Sequence, residues 1–380
     1  MPLSPRMRRV SLEGGFVLIV LVLLLVVLEG ALQLIGDEAP SRPAARPEAG
    51  LPILHKTSDL ARPNARGLNA GALYQSNSAG FRGREHPERK PLGVFRLAVI
   101  GDSTSMGWGV EWKDTYAARI ERRLNSPNST SSTSGSLGAF PPSAADSSRR
   151  FEVLNFALAG LDASGVSKRF ESLALRFDPD VVIYGFTLND IKGEHYRPSL
   201  DREYAESLRR NDAPLRLWRW ARPRWLAIRE LLFAPKGTYA GELDDNYFNN
   251  PRARQALQSH LARIASLSDD RAICRILLIH SQIQSLHALH PYRRHYEVVA
   301  DLAREQGFYT AQSLEAMSAE AAPSLWVSPS DWHANARGHA ILADVAMDAL
   351  SRLPASCWNR PAQASPSAAT THSQQRSTAD

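Results

Sequence analysis

The chain has 380 residues, 43% hydrophobic and 22% charged, with 45 Lys and Arg against 39 Asp and Glu and a net charge of +6. That is globular composition with ample core for one large domain or two modest ones. The charge is mild, no Lys/Arg block is long enough for a nucleic-acid arm, and neither zinc-type Cys/His spacing nor a phosphate-binding glycine loop occurs, so nucleic-acid, metal and nucleotide-cofactor readings fall away.

The N-terminus comes first. Arg6, Arg8 and Arg9 precede an uninterrupted apolar run from Phe16 to Leu28, and "EGALQLIG" extends that character to Gly36. A bilayer crossing needs roughly 20 helical residues, so 15–36 is long enough for one transmembrane helix. The arginines put residues 1–14 in the cytoplasm and everything after the span on the periplasmic or extracellular side. A cleaved signal peptide is the competing reading. No small-x-small cleavage site follows, so an uncleaved signal anchor is expected. Residues 37–93 read as a Pro-rich stalk and an irregular lead-in lying against the domain that follows.

Alternation sets in at Val94. "VFRLAVIG" reads as a buried strand, and "WKDTYAARIERRLN" as a helix whose Tyr116, Ala117, Ile120 and Leu124 share one face. The Ser/Pro-rich stretch over 126–150 is a flexible insertion. "FEVLNFALAG" is a second strand, "VSKRFESLALRF" a second helix, and "PDVVIYGFTLND" a third strand whose Pro suits a strand start. From Ile191 to Asp270 the pattern is less regular. "RAICRILLIHSQ" restores a strand, "YRRHYEVVADLAREQG" a helix, and "FYTAQSL" a short strand. "NARGHAILADVAMDALSRL" is the last helix, and 355–380 a disordered tail. This alternation predicts an α/β domain over 94–354 with a parallel sheet covered on both faces. Of the two cysteines, Cys274 falls in a strand and Cys357 in the tail. They read as a buried small hydrophobe and an unrelated thiol, in a fold that does not depend on a disulfide.

In open α/β sheets, chemistry gathers at the carboxyl ends of the strands. The first strand ends in Gly101-Asp102-Ser103, which by itself fits a helix cap as well as a nucleophile. Further pieces change the balance. The second strand ends at Gly160 with a backbone N–H to offer, and the third at Asn189 with a side-chain amide. "SPSDWHANARGH" puts Asp331 and His333 on a loop before the last helix. A serine nucleophile needs a base, an acid to orient that base, and donors for the oxyanion; these residues supply each at one edge.

On these motifs the sequence resembles the SGNH (GDSL-type) hydrolase family over roughly Val94 to Leu353. The resemblance implies a flavodoxin-like three-layer sandwich with a central parallel sheet. It gives Ser103 the role of nucleophile, His333 that of base, and makes Ser103, Gly160 and Asn189 the oxyanion hole. Many members carry the acid three residues before the histidine, where this chain has Ser330; Asp331 stands two before and takes the role here. A Ser103–His333 dyad oriented by a backbone carbonyl is the alternative. The implied activity is ester hydrolysis, on an O-acylated envelope glycan or a lipid ester, without cofactor or metal. An O-acyltransferase using the same residues is the runner-up, a non-catalytic binding protein on the same fold the third reading, and the oligomeric state is left open.

Other residues receive plainer readings. Asp102 shapes the turn, Asp190 makes a structural hydrogen bond, and His339 packs. His280, His287, His290 and His295 do not share a face, so no metal follows. The Trp/Arg-rich segment 216–233 is either a membrane-facing or pocket-lining element or a helical excursion packed on the sheet, and Pro223 interrupts any long helix there.

Overall fold

The computed structural model describes residues 20–21, 23–31, 50–126, 149–191, 239–284, 286, 290–328 and 331–359. Before the sheet, Arg66–Asn69 (β1) and Ala72–Gln75 (β2) form an antiparallel hairpin. The chain then alternates. Val94–Gly101 (β3) runs into a single helical turn, Ser103–Met106 (α1), and then Tyr116–Leu124 (α2). Arg150–Asn155 (β4) is followed by Ala163–Ser172 (α3), and Val181–Phe186 (β5), across residues 192–238, by Pro251–Asp269 (α4). Cys274–Ile279 (β6), Arg293–Glu305 (α5) and Tyr309–Gln312 (β7) complete the sheet. A hairpin of Trp326–Ser328 (β8) and Asp331–Ala334 (β9) precedes Ala336–Ser351 (α6) and a last turn, Ala355–Trp358 (α7).

The five strands β3 to β7 are parallel in the order β4-β3-β5-β6-β7. The order reverses between β3 and β5, which opens a crevice at the carboxyl ends of those two strands. Strand residues alternate between two cores. Ala98 and Ile100 join Val166, Phe170, Leu257, Leu261 and Val299 on the face covered by α3, α4 and α5. Leu97 and Val99 join Ile120, Leu342, Ala343 and Ala346 on the face covered by α2 and α6. The fold is the expected three-layer α/β sandwich.

Helix starts follow local chemistry. Thr115, Asp162, Asn250 and Asn335 each accept a backbone N–H of the first turn, and Pro251 opens α4 where a missing N–H costs nothing. The lead-in is a packed part of the molecule: Leu54, Leu60, Ala65 and Tyr74 share a cluster with Met106, Ala157, Leu158 and Ala159.

Two expectations need correction. Cys274 and Cys357 are disulfide-bonded across 83 residues, because α7 folds back and buries Cys357 and Trp358 beside β3 and β4 instead of starting a disordered tail. Asp331 and His333 lie on a strand, not on a loop. Of the expected span 15–36, the described residues 20–21 and 23–31 are helical, with Leu23–Leu28 exposed. Among the described residues no helix is long and apolar enough to cross a membrane. Residues 1–14 and 37–49, the insertion over 127–148, the segment 216–233, Ser330, His287 and the tail from 360 lie outside the described residues.

Candidate active site

Ser103 opens α1 directly after β3. Gly101 makes this turn possible: its φ is +149°, and a Cβ there would stand 2.5 Å from both the Gly185 carbonyl and Ser105 Oγ. Asp102 caps α1, its Oδ1 accepting Thr104 N–H at 3.0 Å. The cap and the nucleophile candidate are thus adjacent residues with separate jobs.

Two hundred and thirty residues later, His333 Nε2 lies 2.9 Å from Ser103 Oγ. The other ring nitrogen, Nδ1, lies 2.6 Å from Asp331 Oδ1, which also accepts the His333 backbone N–H at 3.1 Å. The two-residue spacing has a geometric reason. On a strand, residues i and i+2 project from the same face, so Asp331 and His333 meet. Burial opposes ionisation of Asp331, but the His333 ring and backbone and the Trp108 indole outweigh it and hold the carboxyl below its ordinary value. An ionised Asp331 can only accept, which leaves Nδ1 as the protonated nitrogen and Nε2 free to take the Ser103 proton.

Asn189 sits in a short helical turn after β5 and is partly exposed. Its Oδ1 accepts from Thr187 Oγ1 at 2.6 Å, which turns the NH2 away from Thr187. Thr187 Oγ1 also lies 2.7 Å from Asp102 Oδ2 and 3.4 Å from Asp190 Oδ1. One hydroxyl proton cannot serve three acceptors. Burial raises both carboxyls, Asp190 well above the ordinary value with the charge of Asp102 adding to it, which favours the protonated form in this cluster. Asp190 also accepts from Tyr184 Oη at 2.9 Å.

A stability prediction follows for Asp190. The folded state binds its proton more tightly than the unfolded chain, so the stabilisation is complete below the ordinary aspartate value of about 4 and is lost as pH rises toward the raised one. Asp190→Asn keeps an acceptor for Tyr184 without the titration. Urea midpoints should therefore show wild type losing stability relative to Asp190→Asn between acid and neutral pH; parallel curves would contradict the protonated reading.

A cavity of about 280 Å³ gathers these groups. Ser103, Asn189, Asp331 and His333 line it, with Asp102 and Thr187 beneath and Met317 and Leu342 on the apolar side. His280 lines it as well; it is buried, neither ring nitrogen has a partner among the described residues, and burial drives its pKa down to about 3, so it is neutral. Gly160 does not line this cavity. It lies in the turn after β4, held beside the nucleophile edge by Leu158 N–H to the Gly101 carbonyl at 3.0 Å. Its φ is +83°, and Thr57 Oγ1 stands 2.6 Å from where a Cβ would be. Among the described residues nothing accepts from the backbone N–H of Ser103 or Gly160.

His339 packs against Tyr116, as expected, its Nδ1 accepting Tyr116 N–H. No group of three or more metal-ligating side chains occurs among the described residues. Sequence reasoning passed over Thr187 and Trp108. The latter, flanked by Gly107 and Gly109, donates its indole N–H to Asp331 Oδ2 at 2.9 Å.

No family model matches the chain, and no curated protein does. Among solved structures it is similar to LAE5, an alpha/beta hydrolase enzyme from the metagenome of Lake Arreo, at 16% identity over 68% of this chain and 96% of that one, with a TM-score of 0.39. It is similar to Axe2, an acetylxylan esterase from Geobacillus stearothermophilus, at 16% identity over 67% and 94%, with a TM-score of 0.39. TesA shares 16% identity over 58% and 77%, with a TM-score of 0.31. Likeness at this level leaves the chemistry to be argued from the residues of this chain.

Proposed function

We propose that this chain is a serine esterase of the SGNH (GDSL) type. The observation that carries the reading is the chain of contacts from Ser103 Oγ to His333 Nε2 at 2.9 Å and from His333 Nδ1 to Asp331 Oδ1 at 2.6 Å, on a cavity wall. His333 takes the Ser103 proton as Oγ attacks an ester carbonyl. Ser103 N–H and the Asn189 amide, both at the cavity wall, hold the oxyanion, and Gly160 N–H, in the exposed turn tied to Gly101 through Leu158, is the third donor to a substrate that reaches past that wall. His333 then protonates the leaving alcohol, and water, activated by the same imidazole, releases the acid. Asp331 keeps the ring in the required tautomer throughout.

The substrate is an O-acylated envelope glycan or a lipid ester, and the enzyme is held to the membrane by residues 15–36 with its catalytic domain outside the cytoplasm. Support for that compartment comes from the Cys274–Cys357 bridge, which persists where thiols are oxidised. Transfer of the acyl group to a sugar hydroxyl would use the same residues. The deciding experiment incubates the full chain with acetylated sugars and p-nitrophenyl esters of increasing chain length, with and without a glycan acceptor. Release of free acid supports hydrolysis; acylated acceptor supports transfer; neither product from any ester sinks the reading.

Asn189→Ala should lower kcat by about 10²–10³ with an unchanged thermal midpoint, because it deletes one oxyanion donor from a partly exposed position. Wild-type kinetics in that variant would remove Asn189 from the oxyanion hole.

A further inference from the structure

The loop after the nucleophile does more than turn the chain. Gly107 and Gly109, at φ +88° and +69°, flank Trp108 and carry its side chain to the triad. The indole N–H donates to Asp331 Oδ2 at 2.9 Å, the carboxylate oxygen that His333 does not use. The same indole stacks on the His333 ring, with centroids 5.5 Å apart and planes at 30°. One side chain therefore touches both the acid and the base.

What holds that loop is an arginine from the lead-in. Arg82 is 1% exposed and, among the described residues, pairs with no carboxylate. Its Nη1 donates to the carbonyls of Met106 at 2.9 Å and Gly107 at 2.6 Å, and its Nη2 to those of Val110 at 2.5 Å and Leu73 at 3.2 Å. Three of the four acceptors belong to the loop bearing Trp108, and the guanidinium lies over the Tyr74 ring at 5.1 Å. A planar fork can serve four separated carbonyls; an ammonium cannot. Burial lowers the Arg82 pKa to about 10, which leaves it cationic at neutral pH. The loop is pinned on its other side too: Gly109 N–H donates to Asn69 Oδ1 at 3.3 Å, and a Cβ at Gly109 would stand 2.5 Å from Val327 of β8.

We propose that Trp108 is a positioning residue of the reaction, its indole N–H holding the Asp331 carboxylate in line with His333, and that Arg82 makes the lead-in part of this device by fixing the loop that carries Trp108. The inference rests on the triad assignment above. Besides Trp108, the groups that act on the Asp331–His333 pair are Ser103 and Asp102 from the nucleophile turn and His339 from α6, with Arg82 behind the loop.

Trp108→Phe keeps an aromatic ring beside His333 and removes the donor together with the pyrrole half of the indole. In the full chain it should leave the thermal midpoint near wild type and lower kcat/KM on a p-nitrophenyl ester about tenfold, mostly in kcat. The acid limb of its pH profile should move upward, because a carboxylate with one donor fewer holds its own proton more tightly and stabilises the imidazolium more strongly. The His333 ring titration, followed by NMR, should move the same way, and it can be read in Ser103→Ala protein that has no turnover. A wild type inactive on every ester but with a ring titration that responds to Trp108→Phe would overturn the hydrolase reading and leave the positioning contact standing. An active wild type whose pH profile and ring titration are unmoved by Trp108→Phe would overturn the proposal itself. Arg82→Lys should reproduce the upward shift, and Trp108→Phe should then add little; additive losses would remove Arg82 from the device.

Discussion

Alanine at Ser103 is expected to reduce ester turnover by about 10⁶-fold, and alanine at His333 by about as much, with the double variant no worse than either. The non-additivity follows from the geometry. Ser103 Oγ is a poor nucleophile unless His333 Nε2, 2.9 Å away, removes its proton, and every later proton transfer by the imidazole needs the acyl group that Ser103 carries. Folding should survive both changes, since neither side chain belongs to the buried cores and His333 retains 32% exposure. A fluorophosphonate should label Ser103 in wild type and in neither variant. Asp331→Asn separates triad from dyad: an amide in its place can donate to Nδ1 and favour the wrong tautomer, for a loss of about 10⁴-fold. A loss under about tenfold would return the orienting role to a backbone carbonyl. His333→Ala labelled at the wild-type rate would end the nucleophile–base pairing altogether.

How much of this was legible beforehand follows from the range of each interaction. The strands β3, β5 and β6 are apolar runs, and the main helices carry faces such as Tyr116, Ala117, Ile120 and Leu124, so hydrophobic pattern reveals them. The strand β9 is different. Its four residues place Asp331 and His333 on one face, and polar residues recruited for chemistry erase the hydrophobic alternation by which a strand is recognised. Helix α4 lies in the segment that read least clearly, although Asn250 followed by Pro251 is a start signal available locally. Arg82 stands in the polar stretch "AGFRGREHPERK", which reads as irregular lead-in lying against the domain, with nothing to single out one arginine. Its carbonyl partners at 106, 107 and 110 become visible only when the chain is folded. The Asp102–Thr187–Asn189 cluster joins two strand ends 85 residues apart, and residue type alone gave Asp102 a turn-shaping role without that connection.

Serine at both Cys274 and Cys357 is expected to lower the unfolding free energy by about 4–5 kcal/mol, the chain-entropy value for a closed loop of this size. The bridge spans 83 residues and joins the start of β6 to α7, the last described turn of the chain. Without it, α7 is held by Trp358, which is fully buried, stacks on Phe95 at 5.1 Å and meets Phe151 edge-on at 6.5 Å, and by Arg149 Nη1 on the Trp358 carbonyl at 2.7 Å. Those contacts preserve the native packing of the variant, so the loss should appear as a lower urea midpoint and a lower thermal midpoint, not as a different fold. Cys274 lies at the amino end of its strand, whereas Ser103 and Asn189 lie beyond the carboxyl ends of theirs, so kcat/KM well below the transition should equal that of wild type. Wild type treated with a reductant should converge on the variant's midpoint, and a chain folded in a reducing compartment should start there. Coincident midpoints for oxidised wild type and the double serine variant would show that the bridge contributes nothing and that the Trp358 and Arg149 contacts fasten the C-terminal turn without it.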